Sequence, residues 1–251
     1  PVFLHGDINH NLATSNYAGI IQVDNSALGK TPAKVNVATF NEVGTVWGNA
    51  YQKPNQRYFF SNFLKRHAGI GPKGVGGVYM AEIVGSNYDL TGSFTLQGVT
   101  PANGGTALNF GTVTRVTTNG ADNELETGTD LIGRDLDAFA KVGAVGYGDI
   151  DMDETNGKMY MVNVNERRLI VLNVNGTTAT LNNATTATLN PLTNAYSLTA
   201  NAGWPAAVGA GNILRPWGLK LYKGRGYLGV VEDASITRNF SHLIGYVISF
   251  N

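Results

Sequence analysis

Cysteine is absent from the 251 residues, which excludes a disulfide scaffold, thiolate metal sites and a cysteine nucleophile. Charge is scarce: 14% of residues are ionic, and 18 Lys and Arg balance 18 Asp and Glu to a formal net charge of zero. No basic surface exists to bind nucleic acid or anionic lipid by counterion release, and no block of like charge marks a disordered tail. Apolar runs are short and broken by Asn, Gly or Thr, far from the roughly 20 residues that a membrane-spanning helix requires. Four His show no H-E-x-x-H spacing, and no G-x-S-x-G elbow occurs. The Gly-rich run 69–77 lacks the Gly-Lys-Ser/Thr ending and following helix of a phosphate loop. Opening at Pro1 without a basic n-region, the sequence places any signal peptide outside the residues given.

Helical periodicity is also rare, with only Leu131–Lys141 suited to a turn or two. What the sequence does hold is short runs of β-branched and aromatic residues between turn-forming clusters, so the class is all-β. Three segments repeat one order of features: an aromatic-Gly pair, a tight polar turn and a second strand. They are Val46 to Tyr51 leading to Arg57–Phe63, Gly146 to Asp151 leading to Lys158–Val164, and Pro216 to Leu221 leading to Gly226–Val231. Third strands follow at Gly76–Ile83, Arg168–Val174 and His242–Phe250. Val2–Asp7 and Ala18–Asp24 resemble the second and third strands of a further unit, and fourth strands fit Lys34–Thr39 and Ser93–Gly98.

Repeated antiparallel units of three or four strands predict a β-propeller-like domain over 1–251, with about four partial blades, incomplete at both ends, as in a fragment of a larger propeller. Gly48, Gly148 and Gly218 lie 100 and 70 residues apart. Regular blades take about 40–50 residues, so the excess is assigned to inserts near 100–130 and 175–211. A two-sheet sandwich or an irregular β-solenoid are the alternative architectures.

Gly44 to Tyr51, Phe63-Leu64-Lys65-Arg66-His67-Ala68-Gly69-Ile70-Gly71-Pro72, Val145 to Asp151 and Arg215 to Leu219 together resemble the propeller-like region of large bacterial secreted or cell-surface proteins that carry SdrD B-like, prealbumin-like repeats. That resemblance implies an extracellular or cell-surface location, a structural, adhesive or protein-recognition role, and no chemistry. Partners are then other domains or chains that complete the propeller, or a protein or glycan ligand, without nucleic acid or membrane insertion.

In an up-and-down blade, tight hairpin turns gather at one end and the long connections at the other, where binding residues concentrate. The candidate ligand or partner residues there are His10, Arg66, His67, Lys73, Arg215, Asp233 and Arg238, alongside Lys65 and Glu232; Arg66 and Arg215 could equally hold loop carbonyls. Asp149, Asp151 and Asp153 share one face of a strand, close enough for a calcium ion, although Glu154 and Tyr160 stand where an EF-hand loop needs Gly and Glu. No catalytic residue is assigned and no cofactor is required. Two further readings are a calcium-dependent lactonase or hydrolase of propeller fold and a subunit of an extracellular filament or surface assembly.

Overall fold

A computed structural model describes residues 17–24, 33–116, 121–123, 125, 134–175 and 178–251. Val2–Asp7 and His10 lie outside them. The fold is all-β; the described residues form four antiparallel sheets, none of them closed. An amino-terminal pair is formed by β1 (Ala18–Val23) and β2 (Lys34–Thr39). The first sheet holds β3 (Val46–Gln52), β4 (Arg57–Asn62), β5 (Gly77–Val84) and β6 (Asn87–Thr95). The second holds β7 (Tyr147–Asp153), β8 (Lys158–Asn163), β9 (Arg168–Asn173) and β10 (Thr193–Ser197), and the third β11 (Ile213–Tyr222), β12 (Arg225–Asp233) and β13 (Gly245–Phe250). Short helices are α1 (Phe40–Val43), α2 (Leu136–Lys141), α3 (Thr178–Leu181) and α4 (Thr186–Leu189).

Each aromatic-Gly hairpin forms as expected, and each carries the same irregularity. Between Val46 and Asn49, Tyr147 and Ile150, and Pro216 and Leu219, the first strand advances three residues while its partner advances two. This is a β-bulge with its single extra residue. The bulges bring first strands of successive sheets together. A Cβ on Gly48 would sit 3.2 Å from the Ile150 amide nitrogen, and one on Gly148 would sit 2.5 Å from the Trp217 carbonyl oxygen, so hydrogen is the only side chain that fits the second position. Asp149 accepts a hydrogen bond from the Leu219 amide (3.4 Å) and Asp151 from the Leu221 amide (2.6 Å). Donor and acceptor advance together, so β7 and β11 run in the same direction.

Side-chain alternation shows how the sheets are layered. Phe59, Val78 and Met80 of the first sheet pack with Met159, Met161, Ile170 and Leu172 of the second in one fully buried cluster. The intervening residues Val162 and Leu169 of the second sheet pack with Leu219, Leu228 and Val230 of the third. On the other side of the first sheet, Tyr79 and Phe60 join Ala38 and Ile20. The sheets therefore stack in series, and the first and second bury both faces. A two-layer sandwich, which leaves one face of each sheet in water, does not describe this arrangement.

Two strand expectations shift. The fourth strand placed at Ser93–Gly98 begins six residues earlier as β6, because Gly85 at φ 67° closes a tight turn directly after β5. The Asn- and Thr-rich stretch 175–211 is not simply an inserted loop. It supplies α3, α4 and the fourth strand β10, with Leu181 and Leu189 fully buried in the main core. Its first half leaves from the end that carries the hairpin turns, where the Val174 amide bonds the Gly157 carbonyl at 3.0 Å. The long connections are thus not confined to one end. The loops 63–76, 198–212 and 234–244 and the two ends of the link between β6 and β7 do share the opposite end, as strand direction requires.

Candidate functional site

The Lys65-Arg66-His67-Ala68 loop is clasped by an ion pair reaching from the long link between the first and second sheets. Asp135 is fully buried, with φ at 43°, and accepts both Nε (3.0 Å) and Nη2 (2.7 Å) of Arg115. The same guanidinium donates to the carbonyls of Ala68 and Lys65, each at 2.7 Å. Asp135 also accepts the His67 amide at 2.7 Å, with His67 at φ 61°. Such bidentate, charge-assisted bonding fixes a loop as firmly as secondary structure does. Arg66 donates to the Arg134 carbonyl and lies 4.8 Å from the Phe139 ring centroid. Lys73 bonds Asn183 at 3.0 Å, tying this loop to the connector between β9 and β10. Arg66, His67 and Lys73 are thus engaged in holding the loop end together.

The three aspartates share a strand face, as alternation predicts, but the structure does not gather them into a cation cage. Asp149 and Asp151 are turned toward the free edge of β11, and Asp151 also pairs with Lys220 at 2.9 Å. Asp153 caps its own hairpin by accepting from the amides of Thr155 and Asn156 and from the Asn156 side chain. Burial raises the Asp149 pKa, against the backbone donors of Ile150 and Leu219. Among the described residues, no group of three His, Asp or Glu could hold a metal ion.

The third sheet carries the remaining predicted residues and the most distinctive surface. Arg215 pairs with Asp233 across the β11–β12 hairpin at 2.8 Å. For Asp233, burial works against ionisation but is outweighed by hydrogen bonds from Ser235 and Arg215, and the pKa is lowered. Arg238, at φ 52°, donates its amide to the Ala234 carbonyl at 2.8 Å inside the loop after β12. Beneath that loop, the fully buried Glu232 carboxylate accepts from the amides of Val208 (2.9 Å) and Gly209 (2.7 Å) and from Asn212 Nδ2 (2.7 Å). The Val208 bond leads the forces that lower its pKa. Burial opposes it, while Asn212, Gly209 and His242 add to it. Asn212 Oδ1 in turn accepts the Thr237 amide (3.3 Å), and His242 Nδ1 meets the Thr237 hydroxyl at 3.0 Å.

This polar network joins loops 198–212 and 234–244 into one rigid unit that presents apolar side chains to water. Phe240 is 87% exposed, Val208 60%, Ile236 59% and Leu243 53%. The polar inventory of the sequence contained Glu232, Asp233 and Arg238 but not these four. An apolar side chain within a polar loop gives no periodic signal, although Phe240 between Asn239 and Ser241 is anomalous for a loop that needs only solubility.

No family model matches the chain. A curated protein, colossin-D of Dictyostelium discoideum, is 25% identical over 144 residues, which cover 55% of this chain and 13% of colossin-D. The chain thus spans about an eighth of the relative it matches.

Proposed function

We propose that the chain is a noncatalytic, β-propeller-like module of a longer exported polypeptide, serving as a rigid platform for protein recognition at the cell surface. The observation that carries this reading is the exposure of four apolar side chains, Val208, Ile236, Phe240 and Leu243, on two loops that Glu232 and Asn212 tie together. Large apolar side chains held exposed on neighbouring loops mark interaction surfaces when they lie together, and that is the reading adopted for these four. The propeller-like part is supported by sheets stacked in series, first strands touching at Gly48 and Gly148, and the same bulge in each hairpin. Matching only a small part of a much longer relative agrees with a module.

The test compares the wild-type module with an Ile236→Asp/Phe240→Asp double variant, immobilised and exposed to cell-surface extract and to the other domains of its parent polypeptide. A specific partner held by the wild type and lost by the variant, at unchanged melting temperature, is the expected result. Identical retention by both would refute the patch as the recognition surface. A melting temperature unchanged by millimolar calcium is expected as well, whereas a clear rise would favour the metal-dependent hydrolase reading.

A further inference from the structure

The first strands of the sheets present a second surface. Burial alternates along β3, with Gly48, Ala50 and Gln52 turned inward and Trp47, Asn49 and Tyr51 outward. Along β7 the outward positions are Asp149, Asp151 and Asp153. Because Gly48 lets β3 abut β7, these two rows flank one groove. It widens into a cavity of about 590 Å³ beside Trp47, Phe60 and Asp149, and into another of about 910 Å³ beside Tyr51, Asp151 and Lys220. Asn49 lines both and joins them.

An aromatic ring stands in each half. Trp47 leads the first of three matching aromatic-Gly pairs, yet its side chain is 48% exposed, whereas Tyr147 at the same place in the second pair is 1% exposed and donates its hydroxyl to the Gly76 carbonyl. The hairpin itself therefore does not require an exposed ring at this position. Phe63 supports the Trp47 ring with centroids 5.9 Å apart, and Tyr58 supports Tyr51 at 4.5 Å. Both rings are held from one side before any ligand arrives, which lowers the entropic cost of binding. Four residues of strand separate them, about 13 Å at the usual rise per residue, which is longer than a single sugar ring. Between them, the Asp149 carboxylate accepts only the Ile150 amide and, at 3.4 Å, the Leu219 amide, so acceptor sites are left over. Asn49 adds a carboxamide that both donates and accepts. Around the larger cavity, the side chains of Asp151, Asp153 and Glu154 are matched by those of Lys220, Lys223 and Arg225, so no net charge there selects an ionic ligand.

We propose that this groove binds a short uncharged oligosaccharide, with the C–H faces of its rings against Trp47 and Tyr51 and its hydroxyls on Asp149 and Asn49. A pyranose has an apolar face of C–H groups and a rim of hydroxyls that donate and accept. An aromatic platform beside a carboxylate and a carboxamide meets both needs. A peptide is served less well. β3 pairs with β4 along one edge and abuts β7 along the other, so no run of free backbone groups is on offer for strand addition. None of the groove residues belongs to the loop patch around Phe240, and the two surfaces are tested separately.

The probes are cellotetraose, chitotetraose, mannotetraose and maltotetraose, with their monosaccharides and an uncharged Gly-Ser tetrapeptide as controls. Each is titrated into the whole chain while amide and indole chemical shifts are followed. The expected result is that at least one tetrasaccharide, at millimolar concentration, shifts Trp47, Asn49, Tyr51 and Asp149 together, and that its monosaccharide binds about tenfold more weakly or worse. Trp47→Ala weakens that binding about tenfold and Asn49→Ala about fivefold, at unchanged melting temperature because both side chains are exposed. Ile236→Asp/Phe240→Asp leaves it unchanged. Four results would overturn the proposal: no tetrasaccharide shifts these residues; binding is undiminished in both alanine variants; the tetrapeptide produces the same shifts, which gives the groove to polypeptide; or the free chain shows nuclear Overhauser contacts from residues 1–16 or 25–32 to the Trp47 indole, which gives it to the chain's own segments.

Discussion

The second and third sheets begin with the same aromatic-Gly bulge and the same tight hairpin, yet they end as opposites. In the second sheet, Met159, Met161, Ile170 and Leu172 face the first sheet while Val162 and Leu169 face the third, and the outer strand is capped by Asn103. In the third, Leu228 and Val230 are buried against the second sheet, but Val247 on the other face is 79% exposed and no strand among the described residues pairs with the outer edge of β13. Place in the series, and not the local hairpin, decides how much of a sheet is buried. The second sheet is framework, and the third carries the surface for which we propose a recognition role.

Core truncation gives the largest contrast between them. Ile170→Ala should cost about 2–5 kcal/mol, because its methyl groups leave a cavity between two sheets. Val247→Ala in the third sheet should stay within about 0.5 kcal/mol. Denaturant midpoints of both variants check this, and equal losses would erase the distinction. The repeat glycines sharpen it. Gly148→Ala drives a methyl group onto the Trp217 backbone and should cost about 1–3 kcal/mol. Nothing lies within 4 Å of a Cβ on Gly218, so Gly218→Ala should be nearly neutral. If both alanine variants melted alike, the close approach of β7 to β11 would be wrong.

The smallest effect is a pair of pH slopes with opposite signs. The Glu232 pKa is lowered from 4.5, so its contribution is complete above that value and is lost as pH falls through the folded-state pKa. Asp149 is raised from 3.8, so the native state favours its protonated form, and that contribution fades as pH rises through the folded-state pKa. Relative to wild type, Glu232→Gln should therefore lose melting temperature as pH increases from 3 to 6, whereas Asp149→Asn should gain it. Parallel slopes in the two variants would contradict the assigned environments.

The hairpins were legible in the sequence because period-two alternation and turn residues are local signals; the bulge at each aromatic-Gly pair was not, because it shows only in the pairing with the second strand. The fourth strand β10 was not. Thr193 to Ser197 offers only Thr193 and Tyr196 to a strand pattern, and the segment is held by edge bonds from Asn103, some 90 residues earlier, which no local pattern reveals. For the site, Arg66, His67, Lys73, Arg215, Asp233 and Arg238 all lie in or beside the expected loops, but their bonds are internal to the scaffold. The clamp made by Arg115 and Asp135 and the pin made by Glu232 depend on long-range approach. The exposed apolar residues above Glu232 carry no periodic signal of their own, so only the frame beneath them sets them apart.

The sheets stack in series with their first strands side by side. Backbone nuclear Overhauser effects test this arrangement most directly. The structure predicts contacts from Gly48 to Ile150 and from Gly148 to Trp217 in the same molecule, with the Leu219 and Leu221 amides slow to exchange through Asp149 and Asp151. Absence of both glycine contacts, with the two leucine amides exchanging freely, would contradict it.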